Sequence, residues 1–192
     1  MNLLVSDYDQ TVSTDDLSIR FNIKKINEFR KNGNLFMLST GREYSSIKSE
    51  VKKWNIKYDY LSCADGTTMY DKNDKLIFIS KMDEDGVKIS EILKKQYGQK
   101  INIYDIISDN SNIPEEKVIQ ILDINFMQII RDITKFLDEN LINSTYSTNL
   151  NCIYLKHKEA SKSLTIQYLE NEIGIEKRNI FTIGDHNNDY EM

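Results

Sequence analysis

Apolar runs alternate with helix-length amphipathic stretches over residues 1–62, and this alternation most limits what the chain can fold into. Residues 3–5 (Leu3, Leu4, Val5) and 35–38 are continuously apolar, as in strands covered on both faces, and residues 60–62 read as a third short strand. Between them, residues 17–31 place Leu17, Phe21, Ile23, Ile26 and Phe29 at helical spacing, with Gly33 just beyond as a stop. Residues 45–54 set Ile47, Val51 and Trp54 on one helix face. Buried strands joined through helices pair in parallel with right-handed crossovers, so an α/β sandwich is expected.

The middle of the chain has a different rhythm. A turn at 71–74 leads into a hairpin strand at 75–80, and a helix is predicted at 85–97. Strands follow at 101–107 and 118–124, separated by a turn-rich break at 109–114. A helix at 127–137 and strands at 145–147 and 152–155 complete an α+β insert with an antiparallel sheet, placed at 72–156. The first pattern then returns. A helix at 161–173 carries Leu164, Ile166, Leu169 and Ile173, Gly174 stops it, and 180–183 reads as another buried strand. The expected organisation is one discontinuous domain, 1–71 with 157–192, interrupted by the insert.

Bulk properties exclude several classes. A net charge of -5 and a pI of about 5.2 argue against a general nucleic-acid binder. No apolar run approaches the roughly 20 residues of a membrane span. No basic stretch precedes the first apolar run, so no signal peptide is expected. Cys63 and Cys152 are far apart without metal-ligand spacing and read as small buried hydrophobes in a reducing compartment. A cytoplasmic protein is the expectation.

The chemistry begins where the first strand ends. Asp7 and Asp9 stand two residues apart, with Thr11 two further on. Paired carboxylates against a core need a partner, most simply a cation, because unpaired buried charge costs several kcal/mol. The plainer reading is a polar turn capping the next helix. Three more polar clusters follow strands or open a helix: Ser39-Thr40-Gly41-Arg42, Ser161-Lys162, and Gly184-Asp185 with Asn188-Asp189. Each has a bland alternative taken alone. Thr40 fits a helix cap, Lys162 a solvated lysine, Asp185–Asp189 a turn, and Arg42 a partner for a carboxylate as readily as for substrate. Ligands of open parallel sheets bind beyond the carboxyl ends of the strands, where three of these clusters fall, so they can converge.

Taken together these residues resemble the haloacid dehalogenase superfamily, and within it the Cof-type sugar phosphatases. Asp7, Asp9 and Thr11 match the first motif, and residues 35–42 ending in Thr40-Gly41-Arg42 the second. Lys162 matches the third, and Gly184, Asp185, Asn188 and Asp189 the fourth. The resemblance implies a Rossmann-like three-layer α/β/α core with a parallel sheet and an inserted α+β cap. It implies an Mg²⁺-dependent phosphatase acting on a small phosphorylated metabolite, a sugar phosphate foremost, with Asp7 as nucleophile and Asp9 as acid/base. Lys162 would supply fixed positive charge. Thr40, Gly41, Arg42, Lys162 and Asn188 would bind phosphoryl oxygens. Asp7, Asp185 and the backbone carbonyl of Asp9 would hold the metal, with Asp189 a further ligand or a support behind it. No metal role falls to His157 or His186.

Two other readings stay beside this one. One is a phosphomutase, or a phosphatase specific for a disaccharide phosphate or phosphoglycerate; the other is a non-catalytic phosphate-binding domain. Family members continue past the fourth motif, whereas this sequence stops at Met192. The corresponding expectation is a partial core lacking an edge strand, less stable or self-associating through that edge.

Overall fold

The computed structural model describes residues 1–109 and 113–192, so the centre of the break predicted at 109–114 lies outside the described residues. The elements run β1 (Leu3–Ser6), α1 (Asp16–Lys31), β2 (Leu35–Ser39), α2 (Tyr44–Trp54), β3 (Tyr60–Cys63), β4 (Thr68–Asp71) and β5 (Leu76–Ile79). They continue through α3 (Glu84–Tyr97), β6 (Ile101–Ile106), β7 (Glu116–Ile121), α4 (Phe126–Asn140), β8 (Ser144–Asn149), β9 (Cys152–His157), α5 (Lys162–Ile173) and β10 (Ile180–Ile183). The chain divides into two compact units, Met1–Ile79 with Ser161–Met192, and Ser80–Ala160.

The first unit is built on a six-stranded sheet ordered β10-β1-β2-β3-β4-β5. β10, β1, β2 and β3 pair in parallel, and β4 and β5 extend the sheet as an antiparallel hairpin; β10, read as buried, is an edge strand and mostly exposed. Alternation along the strands divides the core between two faces. Phe36 and Leu38 pack with Ile19, Ile26 and Ile47 from α1 and α2. Leu3, Val5 and Met37 point the other way, onto Ile166 and Leu169 of α5. Each fully buried side chain of this size contributes about 2 kcal/mol. The result is the three-layer α/β/α arrangement.

The hairpin corrects the expected boundary. Asp71 accepts from the backbone N–H of Asn73 and Lys75, closing the turn predicted at 71–74. The strand after that turn joins the large sheet, so the inserted unit starts at Ser80 rather than at 72 and ends at Ala160 rather than at 156. β4 had no periodicity signal, being a short strand buried on both faces.

The inserted unit has its own four-stranded antiparallel sheet, ordered β6-β7-β9-β8. Its core joins Ile119, Ile121, Ile153 and Leu155 to Leu93 of α3 and Ile133 and Leu137 of α4. Asp85, in the first turn of α3, ties the start of β8. Its Oδ2 accepts from the backbone N–H of Ile142, Asn143 and Ser144, and its Oδ1 from the Ser144 hydroxyl. Burial alone would raise this carboxyl, but those bonds outweigh it and hold it far below the usual carboxylate range. Asp85→Ala is expected to destabilise the chain by about 2 kcal/mol at pH 7 in urea or thermal unfolding. Because the folded value lies below the unfolded value of 3.8, this contribution is present above that value and is lost as pH falls toward the folded one. The gap between parent and variant therefore narrows below about pH 4.

Candidate active site

β1 ends in the short loop that carries both aspartates. Ser13 N–H donates to the Tyr8 carbonyl, and Gln10, at φ 60°, donates to the Ser13 carbonyl, so the chain doubles back and Asp7 and Asp9 diverge. Tyr8 between them is buried, its hydroxyl donating to Glu50 at 2.8 Å. Asp7 turns toward the interior and Asp9 toward the surface.

Asp7 meets the start of α5. Ser161 caps that helix by accepting from Leu164 N–H, which fixes Lys162 as the first helical residue. The Lys162 side chain is 1% exposed, and its Nζ donates to Asp7 Oδ1 at 2.5 Å and to Asp189 Oδ1 at 2.6 Å. These contacts join residues 155 and 27 apart in sequence. Burial pulls the Lys162 ammonium toward neutrality, but its bonds to Asp189 and Asp7 more than offset that and its pKa is raised. One ammonium cannot neutralise two buried carboxylates. Burial accordingly raises the Asp7 carboxyl above its ordinary value, the Lys162 bond compensating only in part.

The loop after β10 supplies the remaining carboxylates. A Cβ on Gly184 would fall 2.3 Å from Cβ and Cγ of Asp189, so only glycine lets that side chain lie across the loop. There Asp189 Oδ2 accepts from the backbone N–H of Asp185 and His186. Asp185 Oδ1 accepts from the Thr11 hydroxyl at 2.8 Å, and Oδ2 contacts His186 Nδ1 at 2.5 Å; the Thr11 bond, then His186, lower its pKa. Thr11, which completed the first motif, thus ties the β1 loop to the β10 loop.

Carboxylate oxygens of Asp7, Asp185 and Asp189 lie within 4.8 Å of one another. An all-oxygen, strongly anionic donor set with an unbalanced buried charge fits a hard divalent cation such as Mg²⁺. Asp9 contributes no side-chain oxygen to this cluster. Its carboxylate takes a two-point bond from Arg42, Nε to Oδ2 at 2.8 Å and Nη2 to Oδ1 at 2.6 Å. Arg42 also lies over the Tyr8 ring, 5.2 Å from its centroid. Of the two roles open to Arg42, the pairing with a carboxylate is the one this geometry displays.

Thr40 is buried, and its Oγ1 accepts from Arg42 N–H at 3.2 Å. It does not cap α2, whose N-cap is Glu43. The hydroxyl proton remains available to donate.

The sequence reading passed over the loop after β3. Ala64, Asp65 and Gly66 have φ of 47°, 49° and 87°. A Cβ on Gly66 would sit 1.9 Å from the Ser161 carbonyl oxygen, so this loop abuts the residue before Lys162. Asp65 N–H donates to the Thr40 carbonyl, and Asp65 Oδ1 accepts from Asn188 Nδ2 at 2.9 Å. Asn188, expected on phosphate, is thus joined to Asp65. The available signal was an Asp-Gly pair one residue after a buried strand, the reverse of Gly184-Asp185. His186 is an Asp185 partner, and His157 lies in the inserted unit.

A family model described as haloacid dehalogenase-like hydrolase matches residues 4–107 and 90–192. A relative from Buchnera aphidicola subsp. Baizongia pistaciae, named only provisionally as a phosphatase, is 28% identical over 99% of this chain and 82% of its own. A haloacid dehalogenase-like hydrolase from Bacteroides thetaiotaomicron superposes with a TM-score of 0.76 at 15% identity, over 98% of this chain and 83% of that one. The Synechocystis sucrose-phosphatase, solved with sucrose and phosphate, gives 0.69 at 21% identity over 99% and 78%. No helix among the described residues is long and apolar enough to cross a membrane. With the family model spanning nearly the whole sequence, the chain belongs to the haloacid dehalogenase-like hydrolases.

Proposed function

We propose that this protein is a phosphatase of small phosphorylated metabolites, a sugar phosphate foremost, working through an aspartyl-phosphate on Asp7. The observation that carries the reading is the Asp7 carboxylate held 2.5 Å from a buried Lys162 ammonium, with Asp185 and Asp189 beside it. In the first half-reaction an Asp7 oxygen bonds to phosphorus as the bond to the leaving oxygen breaks, and Asp9 delivers a proton to that oxygen. In the second, Asp9 takes a proton from water, which attacks phosphorus and releases Asp7 and phosphate. Arg42 holds both Asp9 oxygens, so opening of this pair accompanies each proton transfer. Lys162 offers fixed charge to the transferring group without reorganisation. In this reading the Thr40 hydroxyl and the Gly41 backbone N–H would donate to phosphoryl oxygens.

Mg²⁺, held by Asp7, Asp185 and the Asp9 carbonyl with Asp189 at hand, would supply the charge neutralisation that lets a carboxylate approach a phosphate dianion. Release of phosphate from 4-nitrophenyl phosphate is the test. Hydrolysis is expected with Mg²⁺ and a loss of about 100-fold or more in excess EDTA, reversed by adding Mg²⁺ back. Undiminished hydrolysis in EDTA would remove the metal from the reading. Absence of any hydrolysis, with phosphate still bound, would favour a non-catalytic phosphate-binding role.

A further inference from the structure

The loop after β3 is costly to build. Ala64 and Asp65 both hold left-handed backbone, which costs about 1–3 kcal/mol per non-glycine residue. The Thr67 hydroxyl just beyond is fully buried and has no hydrogen-bond partner among the described residues. What this loop achieves is the placement of one carboxylate. Asp65 Oδ1 would be 3.1 Å from a Cβ on Gly41, so the carboxylate fills the space that glycine leaves, and the same oxygen receives Asn188 Nδ2. A carboxylate only accepts, so Asn188 must turn its amide NH₂ toward Asp65. Through the Asp65 N–H bond to Thr40 and the approach of Gly66 to Ser161, the loop touches all three phosphate-side segments.

We propose that Asp65 is a positioning residue that sets the grip of the site on phosphate. It orients Asn188 and backs Gly41, while its negative charge weakens the hold on a phosphate dianion beside them. This rests on the phosphate-side assignment of Thr40, Gly41 and Asn188 made above. Asparagine keeps an acceptor for Asn188, tolerates left-handed φ and removes the charge. Glycine tolerates the backbone and removes acceptor and charge together.

Titration calorimetry with inorganic phosphate and Mg²⁺ on the parent, Asp65→Asn and Asp65→Gly separates these contributions without requiring turnover. Asp65→Asn is expected to bind phosphate about fivefold more tightly than the parent, and Asp65→Gly about fivefold more weakly than Asp65→Asn. The KM for 4-nitrophenyl phosphate should follow the same order. A loop that merely held the fold together would shift melting temperature and leave the three phosphate affinities equal. Equal affinities in all three, or weaker binding by Asp65→Asn than by the parent, overturns the proposal. A parent that binds phosphate but releases none from the aryl ester would sink the hydrolase reading alone, and the order of the three affinities would still decide the role of Asp65.

Discussion

Asp7→Asn is expected to slow phosphate release from 4-nitrophenyl phosphate by a factor of about 10³ or more, with little change in stability. The amide has no anionic oxygen to form the bond to phosphorus, so the covalent route closes. The same substitution removes one of the three carboxylates clustered for a divalent cation, which weakens metal affinity as well. The fold should survive. Burial already disfavours the ionised form of Asp7, and Lys162 keeps Asp189 as its partner when Asp7 becomes neutral. Melting temperatures within a few degrees, measured in EDTA, would separate chemistry from unfolding. A variant retaining a tenth of parental activity while folded would show that another group attacks phosphorus. Asp7→Glu tests the same point by geometry, because one extra methylene moves the carboxylate away from both Lys162 and the substrate phosphorus.

Much of this arrangement was readable because three of the four polar clusters follow strands marked by apolar runs. Residues 3–5, 35–38 and 180–183 fall on β1, β2 and β10, adjacent parallel strands, so Asp7, Thr40 and Asp185 emerge at the same sheet end. Lys162 was readable through Ser161, whose capping preference marks the helix start. What escaped was set by long-range packing. Nothing in the local sequence shows that Arg42 closes on Asp9, since that pairing depends on two loops meeting across β1 and β2. Asp65 escaped because it follows a left-handed alanine, Ala64, a conformation that propensity predicts against. The misplaced boundary at 72 has the same origin. A four-residue strand pairs with the large sheet or leaves it according to tertiary contacts, which hydrophobic period cannot see.

Lys162→Met should produce the largest loss of stability of any substitution in the site, about 3–5 kcal/mol in EDTA. Methionine preserves most of the apolar stem, so the effect isolates the ammonium. Without it, Asp7 and Asp189 face each other with no cation, both buried. Protonating one of them relieves part of the repulsion, which limits the loss. Asp189 also anchors the β10 loop through the N–H groups of Asp185 and His186, so strain there spreads to the whole carboxylate cluster. Millimolar Mg²⁺ should recover a larger share of stability in the variant than it adds to the parent, because the cation then neutralises charge that nothing else compensates. Activity should stay low even with Mg²⁺, since the fixed positive charge proposed to face the transferring group is gone. Urea unfolding of parent and variant, each with EDTA and with Mg²⁺, reads all four states. A variant as stable as the parent in EDTA would mean that Lys162 is not what balances Asp7 and Asp189. The pairing of a buried lysine with the carboxylate proposed as nucleophile would then lose its physical basis.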